Sequence, residues 1–160
     1  MFDTRAMPEE GLDAAARSLR AWLNSQKFSD LSAPEVTAFL TDSISRWAEG
    51  LDYIPTREVD LPANKHKPQQ RRQILDLQLK HYSGKGRQIS IEIDRGNKRI
   101  SLNKLVHAAE LGHLALWVRW GYEHVPFPMP PTVRLIRAHV IRRRVARQPD
   151  RYSLQVGNCG

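Results

Sequence analysis

The sequence predicts an α/β domain in which a mixed β-sheet is flanked by helices. Apolar residues recur at helical spacing over most of the first fifty positions, whereas the middle of the chain alternates apolar and polar residues as strands do. With 160 residues and 41% hydrophobic side chains, the chain can bury a core. One domain is expected over residues 1–150, followed by a flexible C-terminal tail over residues 151–160.

Two helices are predicted first. An apolar stripe favours a helix over residues 9–26. The next helix has its start at Ser32, since Ser32 and Glu35 have the spacing of a capping box and a proline stands between them. This second helix is expected to end near Gly50.

Three strands are expected after the helices, over residues 53–61, 72–82 and 88–94. The last two alternate clearly between apolar and polar side chains. The glycine-containing turn at residues 83–86 joins them. We therefore expect them to pair as antiparallel neighbours.

The remaining elements are a helix, a strand and a basic helix. Ser101 is expected to cap the third helix, and Gly112 stands where that helix ends. The continuous apolar run in residues 113–120 indicates a central strand buried on both faces. Two prolines then precede a predicted C-terminal helix over residues 132–147.

The chain is strongly basic, with a formal net charge of +8 and an isoelectric point near 10.1. Such a charge attracts polyanions without regard to base sequence. No apolar run approaches the roughly 20 residues that span a bilayer, and the first residues lack the order of a secretory signal. A soluble cytoplasmic protein that does not bind membrane is expected. The single cysteine, Cys159, excludes an intrachain disulfide and is expected to lie in a frayed terminus.

Acidic side chains coincide on the two clearest strands. Glu92 and Asp94 share one face of their strand, and antiparallel pairing brings Asp76 beside them. Three adjacent carboxylates require raised pKa values or a cation, and Mg²⁺ or Mn²⁺ prefers such oxygen ligands. The alternative is a solvated strand face whose acids pair with nearby basic residues such as Arg72 and Lys80.

These residues resemble a known family. The resemblance covers residues 32–121 and is carried by the segments Ile74-Leu-Asp-Leu-Gln-Leu79, Ile91-Glu-Ile-Asp94, Lys104 and Leu114-Ala-Leu-Trp-Val118. They are similar to the PD-(D/E)XK nuclease superfamily, which has the restriction-endonuclease-like fold. The resemblance implies an αβββαβ core, here with an extra N-terminal helix and a basic C-terminal helix, and thus a single nuclease-like domain.

Catalytic roles follow from the resemblance position by position. Asp76 matches the first metal-binding aspartate, and Glu92 matches the acidic residue of the second half-motif. The family's lysine should stand two residues after Glu92, where this chain has Asp94. The resemblance then implies that the catalytic lysine comes from the following helix, as Lys104, with Lys98 as a second candidate.

Basic residues expected to bind nucleic acid occur in three places. In the predicted C-terminal helix they are Arg137, Arg142, Arg143, Arg144 and Arg147, and before the Asp76 strand they are Lys65, Lys67, Arg71 and Arg72, with Lys98 beyond the Asp94 strand. The alternatives for the C-terminal arginines are a solvated tail or a membrane-surface helix.

The hypothesis from sequence is a Mg²⁺- or Mn²⁺-dependent endonuclease that hydrolyses phosphodiester bonds. DNA is favoured over RNA as the partner, and a homodimer is left open. One alternative is a non-catalytic nucleic-acid-binding module with a degenerate nuclease fold. Another is a protein-binding adaptor whose arginines meet an acidic partner.

Overall fold

The computed structural model describes residues 8–63, 72–121 and 124–160, and its elements are named in chain order. The three helices are α1 (Pro8–Asn24), α2 (Ala33–Gly50) and α3 (Arg99–Glu110). The eight strands are β1 (Phe28–Leu31), β2 (Tyr53–Asp60), β3 (Ile74–His81), β4 (Ile89–Asp94), β5 (Leu114–Trp120), β6 (Val133–Ala138), β7 (Ile141–Arg143) and β8 (Arg151–Leu154).

The strands form two sheets. The larger sheet has the order β2-β3-β4-β5-β6, with β2, β3 and β4 antiparallel in succession and β4, β5 and β6 parallel. Helix α3 connects the parallel neighbours β4 and β5. The smaller sheet is antiparallel with the order β1-β8-β7. The predicted mixed sheet with flanking helices is therefore confirmed, and the small sheet is an addition to it.

Helices cover both faces of the larger sheet, and β5 is apolar at every position except Arg119. Leu116 and Val118 belong to the core cluster that also contains the buried stripes of α1 and α2. Ala115 and Trp117 belong to a second cluster, with the apolar side of α3. Strand β5 is thus buried on both faces, as predicted. None of the helices in the described ranges is both long and apolar enough to cross a bilayer.

The helix starts were predicted with mixed success. Ser32 and Glu35 form the predicted reciprocal capping box at the start of α2. Helix α3 instead begins at Arg99 with Lys98 as its N-cap residue, and no side chain caps it. The prediction that Ser101 is the cap was wrong, because Ser101 is already buried inside the first turn.

The predicted basic helix over residues 132–147 was wrong, since this segment forms β6 and β7. Val133 and Ile136 are three residues apart, as on one face of a helix, but in β6 they point to opposite faces, and both faces are buried. Val133 packs in the α3 cluster, whereas Ile136 packs in the cluster with α1 and α2. The segment is also rich in β-branched residues, which favour strands.

The predicted flexible tail over residues 151–160 was also wrong. Strand β8 lies between β1 and β7, and its Tyr152 and Leu154 side chains are buried in the main core. Beyond it, the backbone of Cys159 bridges to Ala138, and its thiol is buried. Burial raises the pKa of this thiol to about 11, so it does not ionise at neutral pH.

Candidate active site

The two acidic strands separate at Asp76. Strands β3 and β4 pair in register only over Leu77–Leu79. Beyond this stretch, the Asp76 and Glu92 side chains form hydrogen bonds with the backbone of the neighbouring strand. The Asp76 carboxylate accepts a hydrogen bond of 2.8 Å from the Ile93 backbone N–H, and the Asp76 backbone N–H donates to Glu92 Oε2 at 3.2 Å. These reciprocal bonds hold the two carboxyl groups against each other between the strands.

Lys104 of α3 lies beside these two carboxyl groups. Its ammonium contacts Glu92 Oε1 and donates a hydrogen bond of 2.8 Å to the carbonyl oxygen of Ile74. The Glu92 side chain is fully buried, and the Lys104 side chain is 17% exposed. Helix α3 therefore places one ammonium beside two converging carboxyl groups, as predicted for Asp76, Glu92 and Lys104. These three residues are called the acidic pocket below.

The environment of Glu92 favours its protonated form. Burial raises the pKa of its carboxyl group, and hydrogen bonding to Asp76 and the charge of Asp76 raise it further. The Lys104 ammonium opposes these effects, but the net result is a pKa of about 9. Without a cation, Glu92 therefore holds a proton at neutral pH.

Asp94 does not join the pair, although it lies on the same strand face as Glu92. Its Oδ2 accepts a hydrogen bond of 2.9 Å from Trp117 Nε1, and its Oδ1 lies 3.7 Å from the Lys98 ammonium. Within residues 8–63, 72–121 and 124–160, no three or more His, Cys, Asp or Glu side chains form a group suited to a metal ion. The predicted three-carboxylate cluster is thus reduced to Asp76 and Glu92, since two residues advance a strand by roughly 6.6 Å.

The donor set of the acidic pocket is compatible with Mg²⁺ or Mn²⁺. Magnesium is commonly held by one or two carboxylates, and waters or substrate phosphates supply its remaining ligands. Asp76 and Glu92 provide two such groups. A divalent cation would also compensate the burial and mutual repulsion that raise the pKa of Glu92. The residues present therefore fit the ion.

The basic residues predicted to bind nucleic acid are divided between two sides of the molecule. Lys98 and Arg137 lie on the α3 side: Lys98 contacts Asp94, and Arg137 shares a strand face with Leu135, which is partly buried against the α3 cluster. The small sheet packs on the opposite side, where Tyr152 contacts Trp120. Arg142 and Arg143 of β7 therefore do not lie beside the acidic pocket, and they do not form one basic surface with Arg137 as the predicted helix required.

Several of these arginines are paired with acids. Arg142 lies 3.8 Å from Asp150, and Arg143 lies 2.9 Å from Asp30. Arg72 forms an exposed ion pair with Asp60. Of the other predicted residues, Arg144 and Arg147 are exposed in the segment after β7, and Lys65, Lys67 and Arg71 lie outside the described residues.

Sequence reasoning missed three residues near the pocket. Arg119 is buried at the end of β5, where the strand register places it beside Asp94 and Arg137. The signal was a charged residue within an otherwise apolar strand that is buried on both faces. Ile74 and Ile100 are large exposed apolar side chains on β3 and α3. Ile74 stands two residues before Asp76 and so shares its strand face.

Comparison of this chain with models of protein families, with curated proteins and with solved structures gave no match.

Proposed function

We propose that this chain is a metal-dependent nuclease-like protein that hydrolyses phosphodiester bonds in DNA. Asp76 and Glu92 are the ligands of one Mg²⁺ or Mn²⁺, and Lys104 is the catalytic lysine. The observation that carries the proposal is the convergence of these three side chains from two strands and the following helix. The three residues belong to β3, β4 and α3, so the fold brings them together and not their proximity in sequence.

The connectivity of the larger sheet supports the proposal. The succession α2, β2, β3, β4, α3 and β5, with antiparallel β2-β3-β4 and parallel β4-β5, agrees with the αβββαβ core of restriction-endonuclease-like proteins. The carboxyl groups arise from the second and third strands of that series, and the lysine arises from the helix after them. These are the positions that the sequence resemblance implies.

The charges of the acidic pocket suit an anionic substrate only after a cation binds. Without a cation Glu92 is protonated, so the Asp76 carboxylate and the Lys104 ammonium sum to a formal charge of 0, and binding of a cation releases the Glu92 proton. A divalent cation changes this sum to +1, which attracts a phosphodiester in a partly buried site where screening is weak. The cation and the substrate phosphate therefore favour each other's binding.

The chain's own residues orient the reaction. When bound, the divalent cation would polarise the scissile phosphate and make hydroxide available at neutral pH. Lys104, held by the Ile74 carbonyl and Glu92, presents its ammonium to the phosphate and stabilises the charge that develops on it. The Ile93 backbone N–H fixes the orientation of Asp76.

The test is cleavage of supercoiled plasmid with Mg²⁺ by the parent and by Asp76→Asn, Glu92→Gln and Lys104→Met. Each variant should lose about a hundredfold or more in cleavage rate, because each removes a group that acts on the reacting phosphate. Asp42→Asn is the matched control, since Asp42 is exposed on α2 and pairs with Arg57. Equal cleavage by all four variants and the parent would contradict the proposal.

A second candidate is a non-catalytic nucleic-acid-binding module, and the contacts of Asp94 favour it. Asp94 occupies the position of the family's lysine and is fixed by Trp117 and Lys98. This candidate predicts DNA binding that needs no metal, falls steeply with salt and accompanies no cleavage. The same plasmid preparations distinguish the two functions when binding is measured alongside nicking.

A further inference from the structure

Two exposed isoleucines flank the acidic pocket. Ile74 stands two residues before Asp76 on the same face of β3 and is 40% exposed. Ile100 lies one helical turn before Lys104 on α3 and is 68% exposed. The Lys104 ammonium bonds to the Ile74 carbonyl, so the strand and the helix that carry these isoleucines meet at the pocket. We call Ile74 and Ile100 the apolar rim.

The charged groups lie deeper than the rim. Glu92 has no exposed surface, and Lys104 is mostly covered, whereas both isoleucines are open to water. A phosphate that approaches from the side of the rim therefore moves inward from exposed apolar side chains to buried charged groups. We call this inward position of the charged groups the recess, and it limits the shape of nucleic acid that can react there.

The rim and the recess together favour unpaired nucleotides. In a duplex the base faces are stacked on one another, and the helix bends stiffly over the length of a binding site. An unpaired strand bends freely, so one phosphate can enter a recess while the flanking bases offer apolar faces to protein side chains. Aliphatic residues that contact such faces are known from proteins that insert them between bases.

We infer that the apolar rim binds the bases on either side of the scissile phosphate, so that the substrate class is single-stranded DNA or an unpaired segment within DNA. The inference rests on the proposed function, because it takes the acidic pocket as the place where the phosphate reacts. Lys98, on the same side of the sheet, supplies an exposed cation near this path.

The experiment measures equilibrium binding to labelled single-stranded and duplex oligonucleotides of one sequence, with Ca²⁺ present to limit hydrolysis. The parent should bind the single strand more tightly. The double variant Ile74→Gln with Ile100→Gln should lose about tenfold in single-strand affinity, within the range of one or two base contacts, and little in duplex affinity. Ile141→Gln is the control, since Ile141 is comparably exposed on the small sheet.

A second measurement tests contact with the bases themselves. An oligonucleotide that lacks the two bases flanking its central phosphate should bind the parent and the rim double variant equally, because the groups that contact the rim are absent. A parent that prefers duplex, or a rim variant that weakens both substrates equally, would overturn the inference. Unchanged thermal denaturation of the rim variant shows that the exposed substitutions leave the fold intact.

Failure of the proposed function gives a different pattern. In that case either the parent would not cleave DNA with Mg²⁺, or Asp76→Asn and Glu92→Gln would cleave it as the parent does, whatever the strand preference. Loss of cleavage in those two variants together with equal binding of single strand and duplex would overturn only the role of the rim.

Discussion

Substitution of Glu92 by glutamine should change how the stability of the metal-free protein depends on pH. The pKa of Glu92 is about 9 in the folded chain, against an ordinary value of 4.5. A group whose pKa is raised by folding contributes its full stability below the unfolded value and loses it as pH rises through the folded value. The parent should therefore lose stability between about pH 5 and pH 9, and Glu92→Gln should lack this component.

The magnitude follows from the width of this pH window. Each pKa unit corresponds to about 1.4 kcal/mol, so the free energy of unfolding of the parent should fall by roughly 3 kcal/mol relative to Glu92→Gln between pH 5 and pH 7.5. Other titrating groups are common to both proteins and largely cancel in the difference. The effect is large beside a typical domain stability of about 5–15 kcal/mol.

The assay is urea unfolding followed by circular dichroism, in chelator, at several pH values for both proteins. The stability difference should grow in favour of Glu92→Gln as pH rises. A difference that stays constant with pH, or that grows in favour of the parent, would refute the buried protonated state of Glu92. In saturating Mg²⁺ the parent should regain stability at neutral pH, because the cation binds only the folded pocket.

Three further predictions concern the same structure. Affinity for Mg²⁺ should rise about tenfold per pH unit between pH 6 and pH 8, since Glu92 must release its proton, and calorimetry in two buffers should detect that proton. No proton release would contradict the pKa of Glu92. Trp117→Phe should destabilise the chain by about 1–3 kcal/mol in urea unfolding, because buried Asp94 loses its indole donor. An unchanged midpoint would argue against that bond. Removal of residues 151–160 should abolish cooperative thermal unfolding, since β8 and its buried side chains are lost; a truncated chain as stable as the parent would contradict the core position of β8.

Strands β4 and β5 at the centre of the larger sheet were predictable because their sequence patterns reflect which of their faces are buried. Strand β4 alternates isoleucines with polar residues, and β5 is apolar over residues 114–118 because helices cover both of its faces. Local patterns of this kind report burial directly. The short strands β1, β7 and β8 have three or four residues each, which is too few for a periodic pattern to be recognised.

The acidic pocket was predictable in part for a related reason. Alternation placed Asp76 and Glu92 on corresponding strand faces, and the family resemblance implied Lys104 on the following helix. Asp94 was placed on the correct face, but the sequence did not reveal that the Trp117 indole engages its carboxylate. Long-range hydrogen bonds depend on side-chain orientation and register, which strand periodicity alone does not determine.

The most direct test of the central claim is the number of Mn²⁺ ions bound per chain, measured by electron paramagnetic resonance of free Mn²⁺ during titration. If Asp76 and Glu92 hold one ion together, as proposed, the parent and Asp42→Asn should bind one ion, and Asp76→Asn and Glu92→Gln should each lose most of this binding. Unchanged Mn²⁺ binding in both pocket variants would contradict the claim that these two carboxyl groups form a metal centre.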